Sequence, residues 1–327
     1  MTAVILFSHG SLLCGAGEQL ELHAARLRQD AGYSSVEIGY LNYSSPSFGD
    51  AVEKCVNAGA TKILISPYFL IPGYFIKVGL PRVLAPERER FPHIEFEIAP
   101  VLGDHELLAQ AVSRCAANAQ TSENWRAILH SAPKSCERNS ECPLFEKCAL
   151  TPRPPLPRGE RRGDLCGMGN VSPLVNGINT FVTPSPAPWE RGPGGEGKTS
   201  ETRKSSLLVM VHGSPKPESN AAMFGVVERV KAQQEYSAVA VGFMECNEPS
   251  IPEAIENLVS NGAKTIVAVP YFLHAGTHVA DDLPTLLEAA QQKYHEVEFL
   301  LGDYLGREEL VTEVLRARLR ELSGVEL

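Results

Sequence analysis

The chain has 327 residues, 43% hydrophobic and 21% charged, with a formal net charge of −9. That composition fits a globular protein long enough for two ordinary domains, and the negative balance argues against nucleic acid or an anionic membrane as the main partner. No run approaches the roughly 20 apolar residues of a membrane span, so no membrane partner is expected.

The N-terminal stretch "MTAVILFSHGS" lacks a basic leader and turns polar after seven residues. It reads as a first β-strand, not a signal peptide, and a cytoplasmic location is the expectation. The eight cysteines are then expected as thiols or metal ligands, not disulfides.

Shifting the chain by 203 residues, the separation of His9 and His212, aligns its two ends. "FSHGS" meets "MVHGS", "VEIGYLNYSSPS" meets "VAVGFMECNEPS", and "AGATKILISPYFL" meets "NGAKTIVAVPYFL". The register holds without a gap from about residue 4 to about residue 108, which predicts duplication of one domain. The predicted organisation is 1–120 as an N-terminal domain, 121–205 as a spacer and 206–327 as a C-terminal domain. The spacer carries "TPRPPLPRGERRG" and "TPSPAPWERGPGGEG". Stretches so rich in Pro, Gly and Arg bury too little apolar surface to fold alone, so a mostly disordered linker is expected.

In the second copy "SLLVMVH" is a buried-strand candidate, and Ala222, Val226, Val227 and Val230 then recur at helical spacing. "AVAVGFME" predicts a second strand. "SIPEAIENLVSNGA" predicts a helix with Ser250 as N-cap and Gly262 as stop. "KTIVAVPYF" is a third strand, followed by a helix near 281–294, the strand "VEFLLG" and a terminal helix from about Arg307. Strands alternating with helices imply an α/β class: a mostly parallel sheet with helices on both faces in each domain. Two such tandem domains, packed across a cleft, are expected.

Ligands of open parallel sheets bind outside the carboxyl ends of the strands. His212 ends the first strand of the second copy, Glu245 the second, and His278 follows the third, at 33-residue intervals. Two imidazoles and a carboxylate suit a divalent ion such as Co²⁺, Fe²⁺, Ni²⁺ or Zn²⁺. The first copy has His9, Asn42 and Phe75 at the matching positions. A lone histidine after a strand is usually a packing or capping residue; the joint pattern, lost selectively from one copy, favours a metal site. His274, whose partner is Ile71, is read as a packing residue. Asp281 and Asp282 are read either as caps of the following helix or as partners of the ligands.

"HGS" after a first strand, "GFME" followed by Pro249, and "VPYFLHAGTHVADDLP" together resemble the class II tetrapyrrole chelatases, the CbiX/SirB-type sirohydrochlorin cobaltochelatases and ferrochelatases, in their long two-domain form. The resemblance covers both ends of the chain but not the spacer. It implies a lyase-class enzyme that inserts Co²⁺ or Fe²⁺ into sirohydrochlorin without ATP, in cobalamin or siroheme biosynthesis, with no permanent cofactor. It implies two chelatase-type domains facing a tetrapyrrole cleft, here an internal pseudo-dimer and monomeric as a chain. His212 and His278 match the family's active-site histidines, and Glu245 its metal-binding glutamate. Long bacterial members are expected to keep the histidine pair in the N-terminal half; here it lies in the C-terminal half, which puts His9 in doubt as a catalyst.

Metal insertion removes two pyrrole protons, and an imidazole accepts a proton near neutral pH. His212 and His278 are assigned as base and metal-positioning ligands, and Glu245 as the anionic ligand. The many carboxylates of sirohydrochlorin call for basic partners, for which Lys216, Lys77 and Arg82 are candidates. Ser214 and His9 are candidate substrate contacts, and Tyr74 and Phe75 candidate apolar ones.

Cys136, Cys142, Cys148 and Cys166 cluster in the spacer and have the chemistry for an Fe–S cluster or Zn²⁺. Their C-x5-C-x5-C spacing fits no common knuckle, which favours incidental thiols. Cys14, Cys55, Cys115 and Cys246 are scattered and read as packing residues. The alternatives are a nickel chelatase acting on the same tetrapyrrole, or a carrier of metal or tetrapyrrole that performs no insertion.

Overall fold

Two aliphatic runs, "TAVILFS" and "KILISP", set the frame of the first half: buried on both faces, they pair in parallel at its centre. A computed structural model of the chain describes residues 1–11, 17–125, 204–276 and 278–323. The first half runs β1 (Thr2–Ser8), α1 (Glu18–Leu27), β2 (Ser35–Tyr40), α2 (Phe48–Asn57), β3 (Lys62–Pro67), a π-helical turn (Phe75–Gly79), α3 (Leu80–Arg90), β4 (Glu95–Ile98) and α4 (Glu106–Ala117). The second half repeats it: β5 (Ser206–Val211), α5 (Ala221–Ala232), β6 (Val239–Phe243), α6 (Ile251–Ser260), β7 (Thr265–Pro270), a π-helical turn (His278–Asp282), α7 (Leu283–Lys293), β8 (Glu298–Leu301) and α8 (Glu309–Ser323). Both sheets are parallel throughout, in the orders β2-β1-β3-β4 and β6-β5-β7-β8. Their registers agree: Val4 faces Val36 as Leu207 faces Val239.

The expected local signals are present. Ser250 caps α6 in a reciprocal box with Glu253, as Ser47 caps α2 with Asp50. Gly262 stops α6 at φ +87°. Asp282 makes no side-chain cap bond, because α7 continues directly from the π-turn with Asp282 itself helical at φ −72°, ψ −45°. The capping alternative for Asp282 is thereby corrected.

Alternation along each strand splits the core into layers. Ala3, Ile5 and Phe7 point to an outer core beneath α2 and α3, while Val4 and Leu6 point inward. Leu208 and Met210 share an outer core with α6 and α7, while Leu207, Val209 and Val211 join Val4 and Leu6 in one central core common to both halves. The last helix of each half completes that core by packing on the other half's sheet. α4 lies on β7 and α5, and α8 on β3 and α1. Polar contacts fasten the exchange. Arg316 of α8 donates from Nε and Nη2 to the two Asp30 carboxylate oxygens at 2.8 and 2.9 Å, and Arg318 donates to the Leu102 carbonyl at 2.7 Å. The expectation of two domains meeting across a cleft thus takes a more integrated form, since neither half completes its inner layer alone.

The start of the predicted spacer is also part of the fold. Residues Ser122–Asn124 form a 3-10 turn that buries Trp125 completely against the second half, its Nε1 donating to the Gln120 carbonyl at 2.9 Å. Gln120 and Leu301 exchange both backbone hydrogen bonds at 2.9 Å. The rest of the predicted linker, to Arg203, lies outside the described residues, as do Cys136, Cys142, Cys148, Cys166 and Cys14. Cys55 and Cys115 are buried free thiols, as packing residues should be. Cys246 departs from both cysteine expectations: it is exposed and disulfide-bonded.

Candidate functional site

The strand-end positions are built by one backbone device used twice. Each "HG" places its glycine at positive φ, +87° at Gly10 and +93° at Gly213. A Cβ there would stand 1.8 Å from the Asn42 carbonyl oxygen and 2.0 Å from that of Glu245, so only glycine lets the two strand ends meet. The preceding histidine carbonyls then accept from the neighbouring strand end: His9 from Asn42 N and His212 from Glu245 N, both at 3.0 Å. His212 and Glu245 are therefore held side by side, and both are exposed. Nδ1 of His9 and of His212 lies 3.0 and 3.2 Å from the carbonyl of the following glycine. A carbonyl only accepts, so Nδ1 is the donor of that bond in both rings, and Nε2 is the nitrogen turned away from it.

A second brace orients the loops. Ser214 N donates to Asn247 Oδ1 at 2.7 Å, and Ser11 N to Ser44 Oγ at 2.9 Å. Ser214 is 9% exposed, and its hydroxyl accepts from Lys216 N at 3.2 Å. It shapes the loop after β5, while Lys216 itself is exposed.

The third position opens the π-turn of each half, a local distortion often found at functional sites. In the first half this is Phe75, half-buried, its ring centroid 4.1 Å from that of His9. Tyr43 approaches the same imidazole at 5.5 Å, and Tyr74 flanks Phe75 at 6.0 Å. Lys77 in the turn and Arg82 in α3 are exposed. In the second half the backbone of His278 occupies the equivalent place; its side chain and Thr277 lie outside the described residues. Among the described residues no three His, Cys, Asp or Glu side chains form a metal-binding group.

A cavity of about 220 Å³ joins the carboxyl edges of the central strands from both halves. Its polar lining includes Ser8, His9, His212 and His274. His274 reaches across the seam, its Nε2 3.2 Å from Ser8 Oγ, with its ring edge-on to Tyr68 at 5.2 Å. Sequence reading overlooked Ser8 and Tyr68. Ser8 carried a signal, since its partner Val211 and the His274 partner Ile71 are both apolar and line the same cavity. Tyr68 carried none, because its partner is also tyrosine. Behind Tyr68 lies His23, buried, with Nε2–H donating to the Gly306 carbonyl at 3.0 Å and Nδ1 2.8 Å from Thr312 Oγ1. Burial above all lowers its pKa to about 4, helped by Arg26 and His274 and opposed by the Gly306 bond.

Known proteins share this fold. A sirohydrochlorin cobaltochelatase from Priestia megaterium is 19% identical over 321 residues, spanning 98% of this chain and 80% of its own length. A protein of the same name from Saccharolobus islandicus is 35% identical over 121 residues, which are 93% of its length but 35% of this chain; one half here thus corresponds to a whole short relative. The solved structure of SirB from Bacillus subtilis with Fe³⁺ shares the fold, with a TM-score of 0.66 at 16% identity, covering 99% of this chain and 96% of that one. The CbiX family model matches residues 3–119 and again 206–322, in each case from the first strand to the last helix. On that double match the chain belongs to the CbiX family, carrying two copies of the family's domain.

Proposed function

We propose that the chain inserts a divalent metal, Co²⁺ or Fe²⁺, into sirohydrochlorin without ATP, at one site per chain in the second half. The observation that carries this reading is the paired strand end: the His212 carbonyl accepts from Glu245 N at 3.0 Å, with His278 opening the π-turn of the same half. In its neutral form His212 offers Nε2 as a lone-pair donor, because Nδ1 is committed to the Gly213 carbonyl. Glu245 supplies the negative charge that holds a cation outside water. His278 completes the donor set from the third strand end. The names of the relatives support the same chemistry.

The balance of the reaction fixes what these groups must do. M²⁺ enters the ring, two pyrrole N–H bonds break, and two protons leave, so charge is conserved. Glu245 and one imidazole hold the metal while water ligands are exchanged for pyrrole nitrogens. The other imidazole accepts the two pyrrole protons in turn and passes each to solvent. The first half retains His9 but faces it with Phe75 and Asn42, which offer neither a second imidazole nor a carboxylate.

The deciding experiment mixes the purified chain with sirohydrochlorin and Co²⁺, Fe²⁺ or Ni²⁺ in turn and follows the macrocycle absorbance anaerobically. Accelerated insertion of Co²⁺ or Fe²⁺, lost in Glu245→Gln, is the expected result. Tight binding of metal or macrocycle with no acceleration for any ion would instead identify a carrier.

A further inference from the structure

The two copies also diverge near the C-terminal ends of the exchanged helices. α4 and α8 begin 203 residues apart, so Cys115 of α4 corresponds to Arg318 of α8. The Arg318 guanidinium is seated among oxygens of the first half and of its own helix. Its Nε and Nη2 donate to the Leu102 carbonyl at 3.2 and 2.7 Å, Nη2 to the Asp104 carbonyl at 3.2 Å, and Nη1 to Glu321 Oε1 at 2.7 Å. Leu305, Arg307 and Asn118 hold the corresponding positions around α4, but the far shorter Cys115 brings no guanidinium to them. A cavity of about 500 Å³ opens there, lined by Cys115, Asn118, Gln120, Asp303, Arg307 and Glu308 among others. It shares no lining residue with the cavity between the central strands.

Where the guanidinium was lost, carboxylate was gained. Asp303 and Glu308 stand where the first half has Pro100 and His105. Burial raises the pKa of both carboxyls, opposed by Arg307 at Asp303 and by Arg114 at Glu308. Asp303 is paired, its Oδ2 accepting from Arg307 Nη1 at 3.2 Å. Glu308 is held far more loosely. Its carboxylate accepts no hydrogen bond among the described residues, and Arg114 Nη1 stands 3.9 Å away, although the Glu308 side chain is only 18% exposed. A half-buried carboxylate beside open volume is stabilised by a cation that fills it. The cavity also adjoins the C-terminus of α4, the negative end of its dipole. Exposed amides of Asn118 and Gln120 stand at its rim.

The geometry points to this cavity as a binding site for a small guanidinium compound, seated beside Glu308 as the Arg318 guanidinium is seated beside Glu321 in the other copy. A planar fork of N–H donors meets carboxylate and carbonyl oxygens together, which a compact ammonium does not match. The ligand touches α4 of the first half and the β8–α8 loop of the second, and so adds a contact across the exchanged helix. The inference is independent of the function proposed above, as none of these residues is among the metal donors.

The test titrates the full-length chain with propylguanidinium, the arginine side chain as a free ion, by calorimetry at constant ionic strength. One saturable site is expected, with a rise in thermal midpoint as it fills. Glu308→Gln should weaken Kd about tenfold or more. Cys115→Arg, which supplies the guanidinium from the chain itself, should abolish binding, and Cys115→Ser should leave it intact. Propylammonium should bind about fivefold more weakly or worse. No saturable binding by the unaltered chain overturns the site, as does unchanged binding by Glu308→Gln or by a folded Cys115→Arg chain. Equal affinity for the two cations overturns the guanidinium assignment. Metal insertion is judged separately: a chain that inserts metal but ignores propylguanidinium refutes this site alone, and one that binds it yet inserts nothing refutes the enzymatic reading alone.

Discussion

Phe75 packs its ring 4.1 Å from His9, at the backbone position that His278 holds relative to His212. The two π-turns start 203 residues apart, the same spacing that separates the two "HGS" motifs. One fold therefore presents two versions of a single three-residue set. Removing the distinguishing residue should matter in one half only. His278→Ala is expected to slow metal insertion by about 100-fold or more, measured by absorbance, with an unchanged denaturation midpoint. Normal insertion by that variant would remove His278 from the site.

The reverse substitution offers a gain-of-function measurement. Asn42→Glu combined with Phe75→His gives the first half the donor types of the second, on a backbone of the same register. The unaltered chain is expected to bind one Co²⁺ and the double variant two, counted by elemental analysis after gel filtration. A second half altered by His212→Ala should leave the double variant with one.

Gly213 and Gly262 separate backbone strain from steric collision. Both sit near +90°, but a Cβ on Gly213 meets the Glu245 carbonyl at 2.0 Å while one on Gly262 meets nothing within 4 Å. Each alanine variant should lose about 1 kcal/mol from the unfavourable φ, read from urea unfolding. Gly213→Ala should lose more than that, together with metal insertion, because the β5 and β6 ends must part. Gly262→Ala should keep its rate.

His23 makes stability fall in acid. Its folded pKa of about 4 lies below the ordinary 6.5, so between those values the unfolded chain holds the proton that the folded chain refuses. The contribution is complete above about pH 6.5 and is lost as pH drops towards 4, up to about 3 kcal/mol. His105, whose Nδ1 accepts from Leu107 N at 3.2 Å and which burial and Arg318 also push down, adds loss of the same sign. Urea midpoints measured from pH 7.5 to 4.5 should decline, and His23→Gln should flatten that decline in part. An unchanged slope in the variant would show that His23 does not carry it.

Trp125 tests where the second half ends. It is fully buried, and Trp125→Ala should cost about 3–5 kcal/mol by cavity formation, seen as a large fall in the thermal midpoint. A chain truncated or rejoined at residue 120 should suffer the same loss.

Two periodicities and one internal comparison made much of this protein legible. Alternation and helical spacing locate the strands and helices, because burial of one face is a local demand that each segment must satisfy. Ser250 and Gly262 declare the ends of α6 for the same reason, since caps answer orphaned backbone groups within one turn. The 203-residue register then marks Glu245 and His278 as positions where chemistry varies on a constant frame, beside a histidine, His9 or His212, that both halves keep. The Trp125 anchor escaped that reading, as its burial depends on a surface supplied by the other half. So did Ser8 and Tyr68, which face the cavity only because two sheets meet there. The exchange of α4 and α8 was equally hidden, since an amphipathic helix specifies that it must bury a face but not against which sheet. Sequence by itself determined the repeated α/β unit and the strand-end residues, which depend on local pattern. Tertiary structure alone decided how the copies share one core and which side chains line their seam, because contacts between segments more than 200 residues apart leave no periodic trace in either.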